Sequence, residues 1–223
     1  MQLISVNVGQ EREIQNAKSS GKTGIFKQPS ALPVRITPLG LEGDAIVDVE
    51  NHGGYDQAVY VYGTADYDWW AKELGRALGP GTFGENLTIS DMQSADYSVG
   101  DRFHIGDVIL EVTAPRIPCV TLSARMEDPQ FIKRFRKAGR PGLYCRVIVE
   151  GSVLAGEEVW VEPTVLETVT VLEMFHNFYI PKLSLDYLRR YLAAPTPLQG
   201  RDKMEAKYHE QIVIESKPNP QDL

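Results

Sequence analysis

Short runs of β-branched and aromatic residues, each bounded by a glycine-containing turn, constrain the fold more than any other feature of this sequence. Such runs are typical of β-strands, and the glycines between them are typical of tight turns. They occupy residues 2–8, 59–62, 103–105, 108–112 and 144–149. Many short strands predict a mainly β fold with interspersed helices, here a closed or nearly closed β-barrel, rather than a parallel doubly wound sheet.

Two helices are predicted between these strands. Residues 64–78 carry apolar side chains at helical spacing, and the Gly-Pro-Gly sequence of residues 79–81 is expected to end the helix. Residues 128–137 form a shorter pattern, with Phe131 and Phe135 on one face.

The character of the chain changes after residue 163. Thr170 and Glu173 fit a capping box, a reciprocal pairing that begins many helices. Ser184 precedes a second amphipathic stretch, and a third helix is predicted at residues 201–211. The chain is therefore divided into a β-barrel domain, a small C-terminal α-helical domain and a flexible tail, at residues 1–163, 164–216 and 217–223.

The charge and hydropathy of the chain limit its partners. Its formal net charge is −7 over 223 residues, without a basic stripe, so we expect no nucleic-acid polymer as a partner. No apolar run approaches the ~20 residues of a membrane-spanning helix, and residues 2–8 read as a strand rather than a signal peptide. We expect no membrane partner and a cytoplasmic location, where both cysteines are free thiols.

Cys119 is the strongest candidate for chemistry. It follows a predicted strand that ends at Ala114-Pro115, and Arg116 and Pro118 lie just before it. Proline cannot continue a strand ladder, so this segment is expected to be a rigid loop. A neighbouring guanidinium favours a thiolate, which is both a nucleophile and a soft metal ligand. The alternative for any cysteine is an inert, small buried side chain.

Cys145 provides the contrast within the same chain. It alternates with Leu143, Val147 and Val149 on one face of a predicted strand, which is the pattern of a core position. We therefore interpret Cys145 as inert.

A second polar segment follows the turn at residues 40–44. Four side chains that can bind metals lie within nine positions: Asp44, Asp48, Glu50 and His52. Their spacing matches neither a zinc finger nor an EF-hand, so a structural role in a turn-rich segment is the alternative to a metal site. Gly53 and Gly54 would allow close approach of a ligand to the backbone.

Three further polar side chains are candidates for ligand contacts. Lys27 and Arg140 could each face a phosphate, and Asn86 offers donors and an acceptor to the edge of a planar heterocycle. Other acidic residues are interpreted as parts of solvated faces: Asp66, Asp68, Glu157 and Glu158.

Several common enzyme signatures are missing from the sequence. It has no phosphate-binding glycine loop with its lysine, and none of the patterns GxGxxG, HExxH, GxSxG or CxxC. These absences argue against most NTPases, dehydrogenases, hydrolases and thioredoxins.

Seven segments, taken in order, resemble the MOSC family, which is named for the C-terminal part of molybdenum-cofactor sulfurases. The trailing helices look like the three-helix extension of its stand-alone YiiM-like branch, so the resemblance covers nearly the whole chain. The matching segments are Gly24-Ile25-Phe26-Lys27, Gly40-Leu41-Glu42-Gly43-Asp44, Asn51-His52-Gly53-Gly54, Phe83-Gly84-Glu85-Asn86-Leu87, Gly100-Asp101, Pro115-Arg116-Ile117-Pro118-Cys119 and Ala138-Gly139-Arg140-Pro141-Gly142.

The resemblance implies that Cys119 binds the molybdenum of a pterin-bound molybdenum cofactor (Mo-molybdopterin) in a cleft of the barrel. It further implies reduction of N-hydroxylated compounds, such as N-hydroxylated purine bases and hydroxylamines, which would detoxify base analogues. The residues implied to hold the cofactor or shape its pocket are Lys27, Asp44, His52, Gly53, Gly54, Asn86, Arg116 and Arg140. The chain has no ligand set for a haem or iron–sulfur centre, so a separate flavoprotein or ferredoxin-type donor is expected.

Two other functions stay open on the sequence. Cys119 could carry a persulfide and deliver sulfur to a metal–sulfur cluster or to the cofactor, since the same thiolate chemistry serves both roles. The protein could instead bind and store the cofactor, with the C-terminal helices as a docking surface. A homodimer is one possible assembly.

Overall fold

The computed structural model describes residues 1–17, 21–48 and 52–215, and the predicted tail at residues 217–223 lies outside these ranges. The described residues form short strands connected by turns and helices, as the glycine-bounded runs predict. The strands are β1 Leu3–Val8, β2 Arg12–Glu13, β3 Lys22–Thr23, β4 Gln28–Pro29, β5 Val34–Thr37, β6 Gly40–Leu41, β7 Val59–Gly63, β8 Leu87–Ile89, β9 Arg102–Ile105, β10 Val108–Pro115, β11 Leu143–Val149, β12 Gly151–Val153 and β13 Val159–Glu162.

Eight of these strands form one mixed sheet, in the order β13-β9-β10-β11-β7-β8-β1-β4. Strands β7 and β8 are parallel, and helix α1 (Thr64–Leu74) lies in the connection between them. The other neighbouring pairs in this sheet are antiparallel. Strands β12, β5 and β6 form a smaller sheet, and β2 pairs with β3 in a hairpin.

The predicted closed barrel is corrected by this topology. The large sheet is open, with β13 and β4 at its two ends. Near the β13 end, the first residues of the chain meet residues 156–159 through an isolated bridge, Gln2 to Glu158, and a few backbone hydrogen bonds. A closed barrel needs a continuous ladder with matched stagger, and β1 is instead paired with β8 and β4.

The helices occur where the patterns predict them, with shifted ends. Helix α1 ends four residues earlier than predicted because Gly75, with φ of 64°, adopts the left-handed conformation that terminates helices. A short helix directly after Cys119 was not predicted. The remaining helices are α2 Val120–Arg125, α3 Phe131–Ala138, α4 Val171–Asn177, α5 Leu185–Ala193 and α6 Arg201–Glu215.

The caps at Thr170 and Ser184 are in place, but the Glu173 carboxylate accepts hydrogen bonds from Arg190 rather than completing the predicted capping box. The Thr170 hydroxyl accepts a hydrogen bond from the Glu173 N–H at 3.0 Å, and the Ser184 hydroxyl accepts one from the Tyr187 N–H at 3.2 Å. Each satisfies a free donor at a helix start.

The C-terminal helices are not separated from the sheet by a gap in packing. Phe175 of α4 joins an aromatic cluster that contains Trp70 and Phe135, whereas α5 packs on Val99 and Val169. The division into domains at residue 163 therefore stays a prediction. Among the described residues, no helix combines the length and apolar character needed to span a bilayer.

Two buried clusters support the region around Cys119. Aliphatic side chains fill one face of the large sheet, and Cys145 lies among them. The second cluster is aromatic, includes Tyr60 and Phe83, and has Cys119 packed at its edge. The thiol of Cys119 thus lies where the aromatic cluster meets the surface.

Candidate active-site cleft

Cys119 opens onto a cleft of about 340 Å³, within the volume range typical of small-molecule sites. The cleft forms where β10 ends, above side chains from β7 and β11. Seven of the nine residues predicted for the site line it: Lys27, Asp44, His52, Gly53, Asn86, Arg116 and Cys119. The loops therefore converge on one place although they are far apart in sequence.

The thiol of Cys119 is set up to ionise. Burial alone would raise its pKa, but hydrogen bonding with His52 and the positive charge of Arg116 outweigh burial and lower the pKa to about 6. The backbone N–H of Leu122, in the first turn of α2, adds a smaller lowering effect. Cys119 is consequently a thiolate at neutral pH, as the loop and Arg116 predict.

Arg116 is a buried cation that faces the same cleft. Its Nη1 donates to the Phe83 carbonyl, and its guanidinium lies 5.0 Å from the centre of the Tyr60 ring. Burial disfavours its charge, yet nearby Tyr60, Tyr144 and Cys119 raise its pKa overall. Its Nε is buried and has no hydrogen-bond partner among the described residues. The guanidinium therefore keeps unused capacity to interact with an anion.

Lys27 and Asp44 form a buried ion pair in the wall of the cleft. Asp44 is only 3% exposed, and it accepts further hydrogen bonds from the Gly9 N–H at 2.7 Å and from Asn86 Nδ2 at 2.9 Å. Burial lowers the pKa of Lys27, although the charge of Asp44 opposes that effect. Asp44 and Asn86 hold the lysine in place, which is a more specific role than shaping the pocket.

Asn86 also fixes the cleft to the sheet. Its Oδ1 accepts a hydrogen bond from the Tyr60 N–H at 3.1 Å, while its own N–H donates to the Tyr60 carbonyl at 2.8 Å. An amide side chain that donates and accepts at once is suited to this position between two strands.

Glu85 is a buried residue behind the cleft that was not singled out from the sequence. It is completely buried and accepts hydrogen bonds from Tyr67 Oη at 2.5 Å, the Gly81 N–H at 2.6 Å and Thr88 Oγ1 at 2.9 Å. It also accepts one from the N–H of Phe83, whose carbonyl receives Arg116. Burial raises the pKa of Glu85. The carboxyl group anchors the loop that positions Arg116.

Two tyrosines in the cleft were also missed. Tyr60 and Tyr144 are paired across β7 and β11, with ring centres 5.2 Å apart. Tyr144 Oη lies 3.5 Å from His52 Nδ1, so the tyrosine contacts the histidine whose hydrogen bond lowers the pKa of Cys119. Only knowledge of the strand register, which the sequence does not supply, would have placed these rings together.

Arg140 and Gly54 do not line the cleft. Arg140 Nη1 instead donates to Asp66 Oδ1 at 2.7 Å and to Gln93 Oε1 at 3.2 Å, which makes it part of a structural ion pair. Gly54 is exposed and lies next to Gly53, which does line the cleft. The predicted phosphate contact of Arg140 is not supported by this position.

The interpretation of Asp66 as a solvated residue is wrong. Its side chain is fully buried, it pairs with Arg140, and its Oδ2 accepts the Ser94 N–H at 2.9 Å. Burial raises its pKa, and these partners oppose the rise. The face of α1 that carries Asp66 and Trp70 turns toward the aromatic cluster, so the acid is enclosed with its partner. Asp68 and Glu158 are exposed as expected, whereas Glu157 is half-buried.

The suggested metal site on the segment from Asp44 to His52 finds no support in the described ranges. There, no group of three or more His, Cys, Asp or Glu side chains could hold a metal ion. Asp44 is engaged with Lys27, and Glu50 and Asn51 lie outside the described residues.

The family model for the MOSC domain matches residues 48–160. The chain belongs to the MOSC domain family. Among curated relatives, this MOSC protein is 34% identical to the uncharacterized protein YflK of Bacillus subtilis, over 69% of the chain and 70% of that protein. It is 32% identical to protein YiiM of Escherichia coli, over 54% of the chain and 55% of that protein.

A third relative carries a name that refers to activity. A protein named reductase from Gibberella moniliformis is 34% identical over 61% of the MOSC chain, but the match covers only 25% of that longer protein.

The crystal structure of YiiM from Geobacillus stearothermophilus has the same fold. It superposes with a TM-score of 0.76 at 24% identity, covering 93% of this chain and 98% of that one. Together with the family model and the sequence similarity to YiiM of Escherichia coli, this shared fold shows that the protein is a YiiM-like MOSC family member.

Proposed function

We propose that this MOSC protein is a molybdenum-cofactor-dependent reductase of N-hydroxylated compounds. The observation that carries the proposal is the pairing of a thiolate, Cys119, with a buried guanidinium whose Nε has no partner, at the wall of one cleft. A thiolate is a ligand for a soft, redox-active metal, and the guanidinium suits an anionic group on the same ligand. Family membership and the reductase-named relative support this choice.

The donor set of the cleft fits a pterin-bound metal with a phosphate. Cys119 would bind the molybdenum, while Arg116 and Lys27 would supply positive charge toward the anionic part of the cofactor. Asn86 and Asp44 would act by holding Lys27, since their hydrogen-bonding groups are already used among themselves. Among the described residues that line the cleft, Lys27 and Arg116 are the buried cations that could balance a phosphate.

The reaction needs a redox group that side chains cannot supply. Reduction of an N–OH group takes up two electrons and two protons and releases one water, and the bound cofactor would supply the two-electron change. The protein binds and orients the substrate in the open cleft, and Cys119 and its neighbours tune the metal. A small N-hydroxylated purine base or hydroxylamine is the substrate class that this function requires.

Electrons must reach the cleft from another protein. The chain has two cysteines in all, too few for a four-cysteine iron–sulfur centre. A flavoprotein or ferredoxin-type protein is therefore the proposed donor.

Sulfur transfer is the competing function for the same thiolate. A persulfide on Cys119 would use its low pKa equally well. The cleft of about 340 Å³ beside the thiol, lined by both Lys27 and Arg116, favours cofactor binding, since a persulfide alone needs no such site.

An N-reduction assay tests the proposal. The protein is purified from a molybdenum-sufficient host and given an N-hydroxylated purine with a small artificial electron donor, and the amine product is measured. We expect multiple turnovers per molecule, and the same assay on Cys119→Ser protein controls for reduction by the donor alone. A persulfide on Cys119, detected by mass spectrometry, together with no turnover would overturn the reductase in favour of the sulfur carrier.

A further inference from the structure

A cluster of arginines borders the cleft outside the residues that line it. Arg12 on β2 and Arg125 at the end of α2 both stack on the ring of Phe26, with guanidinium carbons 4.4 Å and 4.7 Å from its centre. Arg76 lies just past the end of α1, and its positive charge lowers the pKa of Arg125. We call these three residues, Arg12, Arg76 and Arg125, the arginine cluster.

The register of the surrounding elements places this cluster at the edge of the cleft. Arg12 is paired with Thr23 across the β2–β3 hairpin, and paired residues project to the same side of a ladder. Thr121 and Arg125 are four positions apart on α2 and therefore share a helix face. Thr23 and Thr121 both line the cleft. Since α2 begins directly after Cys119 and rises about 1.5 Å per residue, Arg125 is on the order of 10 Å from it.

The charge of this cluster is not neutralised within the chain. Among the residues that the structure describes, none of its three members forms an ion pair, whereas arginines elsewhere, such as Arg189 and Arg190, each pair with carboxylates. Of the two acidic residues that flank Arg12, Glu11 pairs with Lys22, and among the described residues neither Glu11 nor Glu13 forms an ion pair with Arg12. The negative charge of Glu85 raises the pKa of Arg125. However, Glu85 is fully buried, and its carboxylate already accepts hydrogen bonds from Tyr67 and the Gly81 N–H.

Arg125 carries a further sign of an incomplete environment. Its Nε is buried without a hydrogen-bond partner among the described residues. Burial lowers its pKa, and the like charges of Arg12 and Arg76 lower it further. Arg12 and Arg125 are like charges held on one aromatic ring, which disfavours the isolated protein, and carboxylates from outside would relieve this repulsion.

We propose that the arginine cluster is the docking surface for an acidic protein that delivers electrons to the cleft. This proposal rests on the proposed function, which requires such a donor. With a net charge of −7, the chain as a whole repels an acidic partner, so a local basic patch beside the cleft would set the orientation of its approach. Arg12 and Arg76 are exposed and outside the cleft, which favours the broad surface of a protein over a small enclosed anion.

Donor binding tests the docking surface directly. An acidic plant-type ferredoxin serves as the probe and is titrated onto wild-type protein and onto the Arg12→Gln/Arg125→Gln double variant at low and high salt. We expect the double variant to bind about tenfold more weakly at low salt and to lose most of its salt dependence. Arg12→Gln alone, at an exposed position, gives a smaller loss in the same direction and guards against misfolding of the double variant.

Arg136→Gln is the matched control. Arg136 also stacks on an aromatic ring, that of Tyr179 at 3.9 Å, but it lies on α3 and does not line or border the cleft. Equal losses in the control and the double variant would overturn the proposal, and so would unchanged ferredoxin affinity. Competition by millimolar inorganic phosphate at constant ionic strength would overturn it too, because the cluster would then be a small-anion site.

Turnover with a small artificial donor separates this proposal from the proposed function. We expect the double variant to keep wild-type turnover with that donor, since no residue of the arginine cluster itself lines the cleft. If even the wild type does not turn over but ferredoxin binding still depends on the cluster, the reductase function and electron delivery both fail, and only the binding of an acidic protein at the cluster stands. If turnover is normal and the double variant binds ferredoxin as tightly as the wild type, the docking surface is overturned and the reductase function is not.

Discussion

The two cysteines of this chain occupy positions of opposite character, since Cys119 is half-buried at the cleft and Cys145 is fully buried. Burial raises the pKa of both thiols, but Cys119 has His52 and Arg116 beside it and its pKa falls to about 6. Cys145 lies in the aliphatic core near the acidic Glu111, and both surroundings raise its pKa far above the ordinary value. Reactivity is therefore set by which charges the fold brings to a thiol, since burial acts in the same direction at both.

Replacing each cysteine by serine gives the largest expected difference. We predict that Cys119→Ser lowers N-reduction by about 10³-fold or more while the protein stays folded, as when a central catalytic group is removed. Cys145→Ser should keep most of the activity but lower the free energy of unfolding by about 1–3 kcal/mol, since a hydroxyl is placed in the aliphatic core. Activity assays and denaturant unfolding measure both. Equal loss of activity in the two variants would contradict the assignment of Cys119 as the reactive cysteine and Cys145 as the inert one.

Alkylation of the native protein measures the same contrast without any cofactor. The rate of Cys119 reaction with iodoacetamide should increase as the pH rises through about 6, because the thiolate is the nucleophile. Cys145 should stay unmodified until the protein unfolds, which mass spectrometry of the two peptides detects. A midpoint for Cys119 above about 8, the range of an unperturbed thiol, would contradict the assigned environment.

Arg116→Gln tests the charge that distinguishes the two sites. Removing the guanidinium should raise the alkylation midpoint of Cys119 by about one pH unit or more, the usual effect of losing a neighbouring opposite charge. The thiolate fraction below pH 6 would then fall about tenfold, since one pKa unit is a factor of ten. An unchanged midpoint would mean that His52 alone sets the pKa.

Arg140→Gln should have the smallest effect on the thiol. Because Arg140 pairs with Asp66 away from the cleft, the alkylation midpoint of Cys119 should not move. The free energy of unfolding should nevertheless drop by about 3 kcal/mol, since a buried carboxylate loses its partner. A shifted midpoint with unchanged stability would place Arg140 at the site after all.

The sequence predicted five of the thirteen described strands and the reactive loop because their signals are local. Proline at 115 and 118 and the arginine at 116 are visible in the chain itself, and the alternation around Cys145 marks a core strand. Helix caps at Thr170 and Ser184 also depend on only a few neighbouring residues. Such features need no knowledge of tertiary contacts.

The sequence-based predictions that the structure contradicts depend mainly on pairings between segments that are distant in the chain. Asp66 and Arg140 each resemble an ordinary surface charge, and only the fold brings them within 2.7 Å. Barrel closure depends on the register between the first and last strands, which the local patterns do not contain. Most of the residues that the family resemblance implies do line the cleft, but the resemblance could not show that Asn86 and Asp44 act through Lys27.

Molybdenum content tests the central claim most directly. Wild-type protein and both cysteine variants are purified from a molybdenum-sufficient host, and the metal is determined by mass spectrometry. We predict stoichiometric molybdenum in the wild type and in Cys145→Ser, and none in Cys119→Ser. Stoichiometric molybdenum that survives in Cys119→Ser, or a wild-type protein without molybdenum, would contradict the assignment of Cys119 as the ligand.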